Sequence, residues 1–189
     1  MVYSKGYYEL KSSAMRMTFG RSKPLTLLRK YNKGVGMDDI LRRINVRALV
    51  WRDGKVLAVK HRNEDGSATD HWALPGGGLD PMESLVEAVQ REVREELGVE
   101  SIVGELVAVQ QFRSRRDDFD EELEVFFNVK DSPAFDSINL NETTHGADEL
   151  ADVAFVDPAI ESILPDLLRT MDIDAVLRQK APVVVGNYL

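Results

Sequence analysis

The chain has 189 residues, enough for one ordinary domain of about 150 residues with an extension. Hydrophobic residues make up 43%, which supplies a core, and the absence of cysteine excludes disulfides, thiolate metal sites and cysteine nucleophiles together. A formal charge of −8 argues against general nucleic-acid binding, which needs a basic surface, and no run approaches the roughly 18 apolar residues of a membrane span. The first twenty residues hold no continuous apolar stretch of the secretory type, so the expectation is a cytoplasmic protein with no membrane contact.

Charge is unevenly spread. In residues 1–36, Lys5, Lys11, Arg16, Arg21, Lys23, Arg29, Lys30 and Lys33 stand against Glu9 alone, a net +7 that leaves −15 on the rest. Tyr3, Tyr7, Tyr8 and Tyr31 lie in the same stretch, four of the five tyrosines. Blocks of like charge are usually docking arms or solvated tails, so 1–36 reads as a basic, Tyr-rich extension that docks on the acidic body or on a second copy of the chain. Basic residues interleaved with aromatics also suit stacking on nucleic acid, the less favoured reading. Residues 37–189 form the domain proper.

Residues 45–51 (NVRALVW) and 55–60 (KVLAVK) read as strands of a hairpin turned at Asp53-Gly54. A polar loop from Asn63 to Asp70 leads to a short strand at 72–74, then to Pro75 and three glycines. A helix is expected from Pro81 to Leu97, with Asp80 as N-cap, Glu83 closing a capping box and Gly98 ending it. Strands follow at 102–112 and 123–129 around a charged loop, then at 151–156, before helices at 158–170 and 172–179. Such mixing points to an α/β class with a mixed sheet.

The helix is informative because it breaks local rules. At about 100° per residue, Leu85, Val86, Ala88, Val89, Val93 and Leu97 share the buried face, while Glu87, Gln90, Arg91 and Arg94 face solvent. Glu92, Glu95 and Glu96 fall along the edge between, in the last turns, where the helix dipole disfavours anions by about 0.3–1 kcal/mol each. Glu92 and Glu96 are also an i,i+4 like-charge pair. A divalent cation resolves the conflict: three carboxylates on one edge form a hard-oxygen site suited to Mg²⁺ or Mn²⁺ and to a phosphate-bearing substrate. A solvated acidic edge is the alternative.

The stretch from Gly76 to Val99 reads GGGLDPMESLVEAVQREVREELGV. It resembles the signature of the Nudix hydrolases, with Gly77, Glu83, Arg91, Glu92, Val93, Glu95, Glu96, Gly98 and Val99 in the signature places. Seven fixed letters give a chance match on the order of 10⁻⁸ per window. The resemblance implies an α/β/α sandwich over roughly 42–170 and hydrolysis of a nucleoside diphosphate linked to another moiety. It also implies Glu92, Glu95 and Glu96 as Mg²⁺ ligands, helped by the Gly76 carbonyl. Arg91 would orient Glu92 and pair with Glu83, while Gly77 and Gly98 keep the loop and helix end in shape.

The general base is sought among Glu121, Glu122, Asp148 and Glu149, with Glu149 preferred. Lys60, Arg62, Arg113 and Arg115, with Arg116, are candidates for substrate phosphates, and plain solvated arginines are the alternative. Trp72, Phe112, Phe126 and Phe127 read as core, and His61, His71 and His145 lack metal-ligand spacing.

Branches of the family that cleave ADP-ribose often carry a proline about fifteen residues after the box, where this chain has Arg113-Ser114-Arg115. Dinucleoside-polyphosphate branches tend to have a tyrosine slightly further on, and none occurs between 32 and 187. The balance favours nucleoside triphosphates, oxidised ones included, over ADP-ribose or nucleotide sugars. Two rivals remain: a non-catalytic nucleotide sensor, against which the complete glutamate triplet speaks, and an enzyme acting on RNA 5′ ends with 1–36 as an arm. Deleting residues 1–36 separates the last: an RNA enzyme loses far more activity on RNA than on free nucleotides, whereas a nucleotide enzyme shows no such split.

Overall fold

Period-two alternation builds the first strand. In a computed structural model that describes residues 40–187, β1 (Arg42–Leu49) turns Val46 and Ala48 to one face and Arg43, Asn45, Arg47 and Leu49 to the other. It does not run on as the expected hairpin strand. After Val50 the chain enters a short β2 (Trp51–Arg52), which pairs with β3 (Lys55–His61) around Asp53 and Gly54, both at positive φ. The turn chemistry is as expected, but β1 and β2 belong to different sheets.

One sheet has four strands in the order β1, β6 (Glu121–Val129), β5 (Val103–Arg113), β9 (Val183–Asn187). β1 runs parallel to β6, β5 antiparallel to it, and β9 parallel to β5. In the other sheet β2, β3, β4 (Trp72–Ala73) and β8 (Ile163–Leu164) are neighbours in that order, with β7 (Leu150–Val156) pairing with β3. Two mixed sheets thus stand where one was expected; the class remains α/β.

Two cores lie on opposite faces of these strands. The first joins Val46, Ala48, Leu57, Val59, Val125 and Phe127 to Ala88, Val89, Val93 and Leu97 of the long helix α1 (Leu85–Leu97). The second joins Leu49, Val56, Ala58, Trp72, Leu74, Ala108 and Phe126 to Leu168 and Ile173. These last two lie on α3 (Leu167–Thr170) and α4 (Ile173–Gln179), and a single-turn α2 (Gly146–Glu149) precedes β7. Among the described residues no helix is long and apolar enough to cross a membrane.

Several expectations change. The helix starts at Leu85, because Met82 adopts φ 68° and ends any helical path from Pro81. Its capping box is Ser84 with Glu87, not Asp80 with Glu83, and Asp80 to Glu83 form a separate turn. Val86 is exposed instead of buried. The expected helix over 158–170 reduces to the two-residue strand β8 and one helical turn, since Pro158 and Pro165 interrupt the ladder of N–H donors. The strand over 183–187 was not foreseen, and the extension over 1–36 lies outside the described residues.

The glycine loop lies along the free edge of β1. Val46 N–H donates to the Gly77 carbonyl (2.9 Å), Ala48 N–H to Pro75 (2.8 Å), and Leu79 N–H to Ile44 (2.9 Å). This edge is therefore covered, and the loop is held at backbone distance. Gly76 sits at φ 133°, and a Cβ there would come 2.1 Å from the Val46 carbonyl oxygen. Gly76→Ala is therefore expected to destabilise the fold by about 2 kcal/mol or more, read as a fall in the urea midpoint.

Candidate functional site

Helix α1 brings its last turns beside this loop. Arg91, expected at the solvent face, is drawn inward. Its Nε and Nη2 donate to the two oxygens of Glu83 (2.8 and 3.0 Å), and Nη2 also reaches the Gly78 carbonyl (2.9 Å). Its Nη1 donates to Glu92 (2.7 Å) and Glu95 (3.2 Å). The fork holds Glu83 in its charged form, with a pKa below the ordinary value, and raises that of Arg91 itself.

The three glutamates stand in different surroundings. Glu96 is 3% exposed, not at an edge, and one oxygen accepts the Gly76 N–H at 2.9 Å. Burial pushes its pKa up to about 8; the Gly76 bond opposes this, and the charges of Glu92 and Glu149 add to it. Burial also raises Glu92, against the pull of Arg91. Glu92 is packed so close to the loop that a Cβ on Gly77 would fall 2.7 Å from its carboxylate. Glu95 is partly exposed and lies 3.4 Å from His145 Nδ1, on the loop whose backbone N–H donates to the Glu95 carbonyl.

Among the described residues no three acid or imidazole side chains are gathered into a closed cluster of metal-ligand spacing. Arg91 Nη1 stands between Glu92 and Glu95 instead. The donor set nonetheless fits a hard cation. Two carboxylates are desolvated, they repel each other, and a single protein cation serves two of the three.

The remaining sequence candidates are spread out. Glu149 is exposed at the end of α2, near enough for its charge to act on Glu96. Glu121 is engaged by Arg42 and Gln111, and Glu122 by Asn45 and Ser114. Arg62 donates to the carbonyls of Gly66 and Leu150, and Lys60 lies 5.0 Å over the ring of the buried Trp72. Arg113 and Arg115 are exposed, and among the described residues no ion pair ties them to Glu92, Glu95 or Glu96. Gly98 closes α1 at φ 69°, donating to the Arg94 carbonyl.

Sequence reasoning passed over the polar face of β1. Arg47 donates through Nε and Nη2 to one oxygen of the buried Glu124 (3.0 and 2.8 Å) and through Nη1 to the Gly76 carbonyl (2.6 Å). Asn45 donates to the buried Glu122 at 2.8 Å, and Arg43 Nε donates to Asn45 at 2.7 Å. The signal was present: Arg43, Asn45 and Arg47 alternate with Ile44, Val46 and Ala48, the pattern of a strand with one apolar and one polar face.

An α/β sandwich with desolvated glutamates at the end of a helix, a glycine loop against them and arginines around both is built for anhydride hydrolysis assisted by a divalent cation. The model of the NUDIX domain matches residues 41–167, and the chain belongs to the Nudix family, hydrolases acting on pyrophosphate bonds. It is 32% identical over 115 residues to the nucleoside triphosphatase NudI of Salmonella agona, covering 58% of this chain and 78% of that one. Its counterpart from Escherichia coli O1:K1 / APEC is 30% identical over the same span. Among solved structures, the E. coli ORF135 protein superposes with a TM-score of 0.55 at 23% identity, over 78% of this chain and 99% of that one. A UDP-X diphosphatase gives 0.55 at 22% identity, over 85% and 73%. These two show the fold.

The buried Glu96 predicts a pH dependence. In the folded protein its pKa is raised from 4.5 to about 8, so between those values the folded state holds a proton that the unfolded chain has lost. This contribution is fully favourable below about 4.5 and is lost as pH rises to about 8. Metal-free protein should therefore melt at progressively lower temperature from pH 5 to 8, and Glu96→Gln should flatten that slope in thermal scans.

Proposed function

We propose that the protein is a Mg²⁺-dependent pyrophosphohydrolase of nucleoside triphosphates, oxidised forms included, with Mn²⁺ able to replace Mg²⁺. The observation that carries the reading is the buried Glu96, bonded to the loop backbone and adjacent to Glu92 at the end of α1. A buried acid with no cationic partner of its own is costly, and a divalent cation removes the cost. The NudI relatives, named as nucleoside triphosphatases, support the choice of substrate class.

Glu92, Glu95 and Glu96, with the Gly76 carbonyl, would hold the ion. Bound there, it would supply charge for the diphosphate and lower the pKa of a water that attacks phosphorus. Arg91 sets the rotamers of Glu92 and Glu95 and ties them to Glu83 and the Gly78 carbonyl, so the ligands are placed before substrate arrives. Arg47 keeps the Gly76 carbonyl oriented across the loop. Glu149, whose charge reaches Glu96, takes the proton of the attacking water. The P–O bond to the leaving phosphate or pyrophosphate breaks as the new one forms.

A panel of nucleoside triphosphates, ADP-ribose and nucleotide sugars, assayed for phosphate and pyrophosphate release with Mg²⁺, tests this. Triphosphates are expected to lead, and Glu96→Gln should lose at least about 100-fold in kcat while its circular dichroism is unchanged. Full turnover in that variant would remove Glu96 from the metal site. Preference for ADP-ribose or a nucleotide sugar would move the substrate assignment.

A further inference from the structure

The polar face of β1 carries one arginine, Arg43, that makes no ion pair among the described residues, although the charges of Glu122 and Glu92 reach it. Arg43 is half-buried, and among the described residues it has no carboxylate within 4.0 Å, unlike Arg42, Arg47 and Arg91. Its Nε is held by Asn45 at 2.7 Å, and Asn45 is held in turn by the buried Glu122. The Phe119 ring lies 5.6 Å beneath the guanidinium carbon. Among the described residues its two terminal nitrogens, with four N–H donors, have no hydrogen-bond acceptor.

The loop makes room for that free end. A Cβ on Gly78 would fall 3.0 Å from Arg43 Nη2, so the third glycine of the loop is what lets the guanidinium lie against the backbone. Arg47, four residues along β1 on the same face, reaches the Gly76 carbonyl. Arg43 and Arg47 therefore meet the loop from the same face of β1, at Gly78 and at Gly76 respectively. Arg116, on the loop after β5, contributes a further positive charge close enough to be felt at Arg43, as is the negative charge of Glu92. Glu122 is the carboxylate nearest to Arg116, at 4.0 Å, but it is already bonded to Asn45 and Ser114.

Half-buried, pre-oriented and short of an acceptor, a guanidinium in this setting is an anion receptor. We propose that Arg43, seconded by Arg116, binds the phosphates of the substrate that extend beyond the glutamate site. The assignment rests on the function proposed above and moves the phosphate-binding role from Lys60, Arg62, Arg113 and Arg115 to Arg43, keeping only Arg116 of the sequence candidates. Arg43 supplies two parallel N–H donors to one phosphate, a geometry that a lysine lacks. Glu122 acts through Asn45 as a positioning residue for the fork.

The test uses the full-length protein with Mg²⁺ and inorganic tripolyphosphate as the probe. Arg43→Gln should weaken tripolyphosphate binding in calorimetry roughly 10–100-fold and raise KM for a nucleoside triphosphate similarly, with kcat within about threefold. Arg43→Lys should recover only part of the loss, and Gly78→Ala, which displaces the guanidinium, should give a smaller rise in KM. Arg178→Gln, exposed on α4 and outside the site, is the control and should match wild type. Unchanged tripolyphosphate affinity and KM in Arg43→Gln would overturn the assignment. If wild type hydrolyses no nucleotide, the proposed function fails, but calorimetry still decides whether Arg43 binds polyphosphate.

Discussion

Five hydrogen bonds from one guanidinium, that of Arg91, join the glycine loop to the helix that follows it. Every other feature of the site depends on that junction. The loop must lie flat on β1 for its carbonyls to reach Val46 and Ala48. The helix must present Glu92 and Glu96 to the same loop at van der Waals distance. Arg91 satisfies both demands with a planar fork, which a flexible ammonium does not reproduce. The helix is thereby fixed twice, by its apolar face on the first core and by its charged edge on the loop.

The electrostatics follow from where those charges are put. Spread over a surface, an acidic excess only aids solubility. Here part of it is buried, and burial raises the carboxyl pKa values of Glu92 and Glu96. The sheet counters with arginines on the opposite side of the loop, of which Arg47 is committed to Glu124 and the Gly76 carbonyl while Arg43 is not. Acidic side chains of the helix and arginines of β1 thus meet the same glycine loop, which is the arrangement the proposed metal and polyphosphate sites rest on.

Much of this was legible in the chain because it is local. The spacing of Glu92, Glu95 and Glu96, the terminating Gly98 and the Asp53-Gly54 turn depend on neighbours in sequence; Gly98 and the turn lie where local chemistry puts them, while Glu96 is buried instead of lying at the edge that periodicity assigns. What was not legible depends on partners far along the chain. Arg43 and Arg47 take their meaning from Glu122 and Glu124, more than seventy residues on. Asp80, Pro81 and Glu83 imitate a helix start, and Glu83 does accept the Asp80 N–H, but it is held by Arg91 and the helix begins only at Leu85. Whether a short valine run near the end becomes an edge strand is decided by β5, not by the run itself.

The passage of the chain from β1 to β2 through Val50 has a mechanical consequence. No loop separates the two sheets there: Val50 is fully buried, and its carbonyl accepts the N–H of Leu57 (3.0 Å). Slack that would let one sheet open while the other stays closed is absent at that joint. Opening of β1 and of the β2–β3 hairpin is therefore expected to be coupled through Val50, so that their amides exchange together.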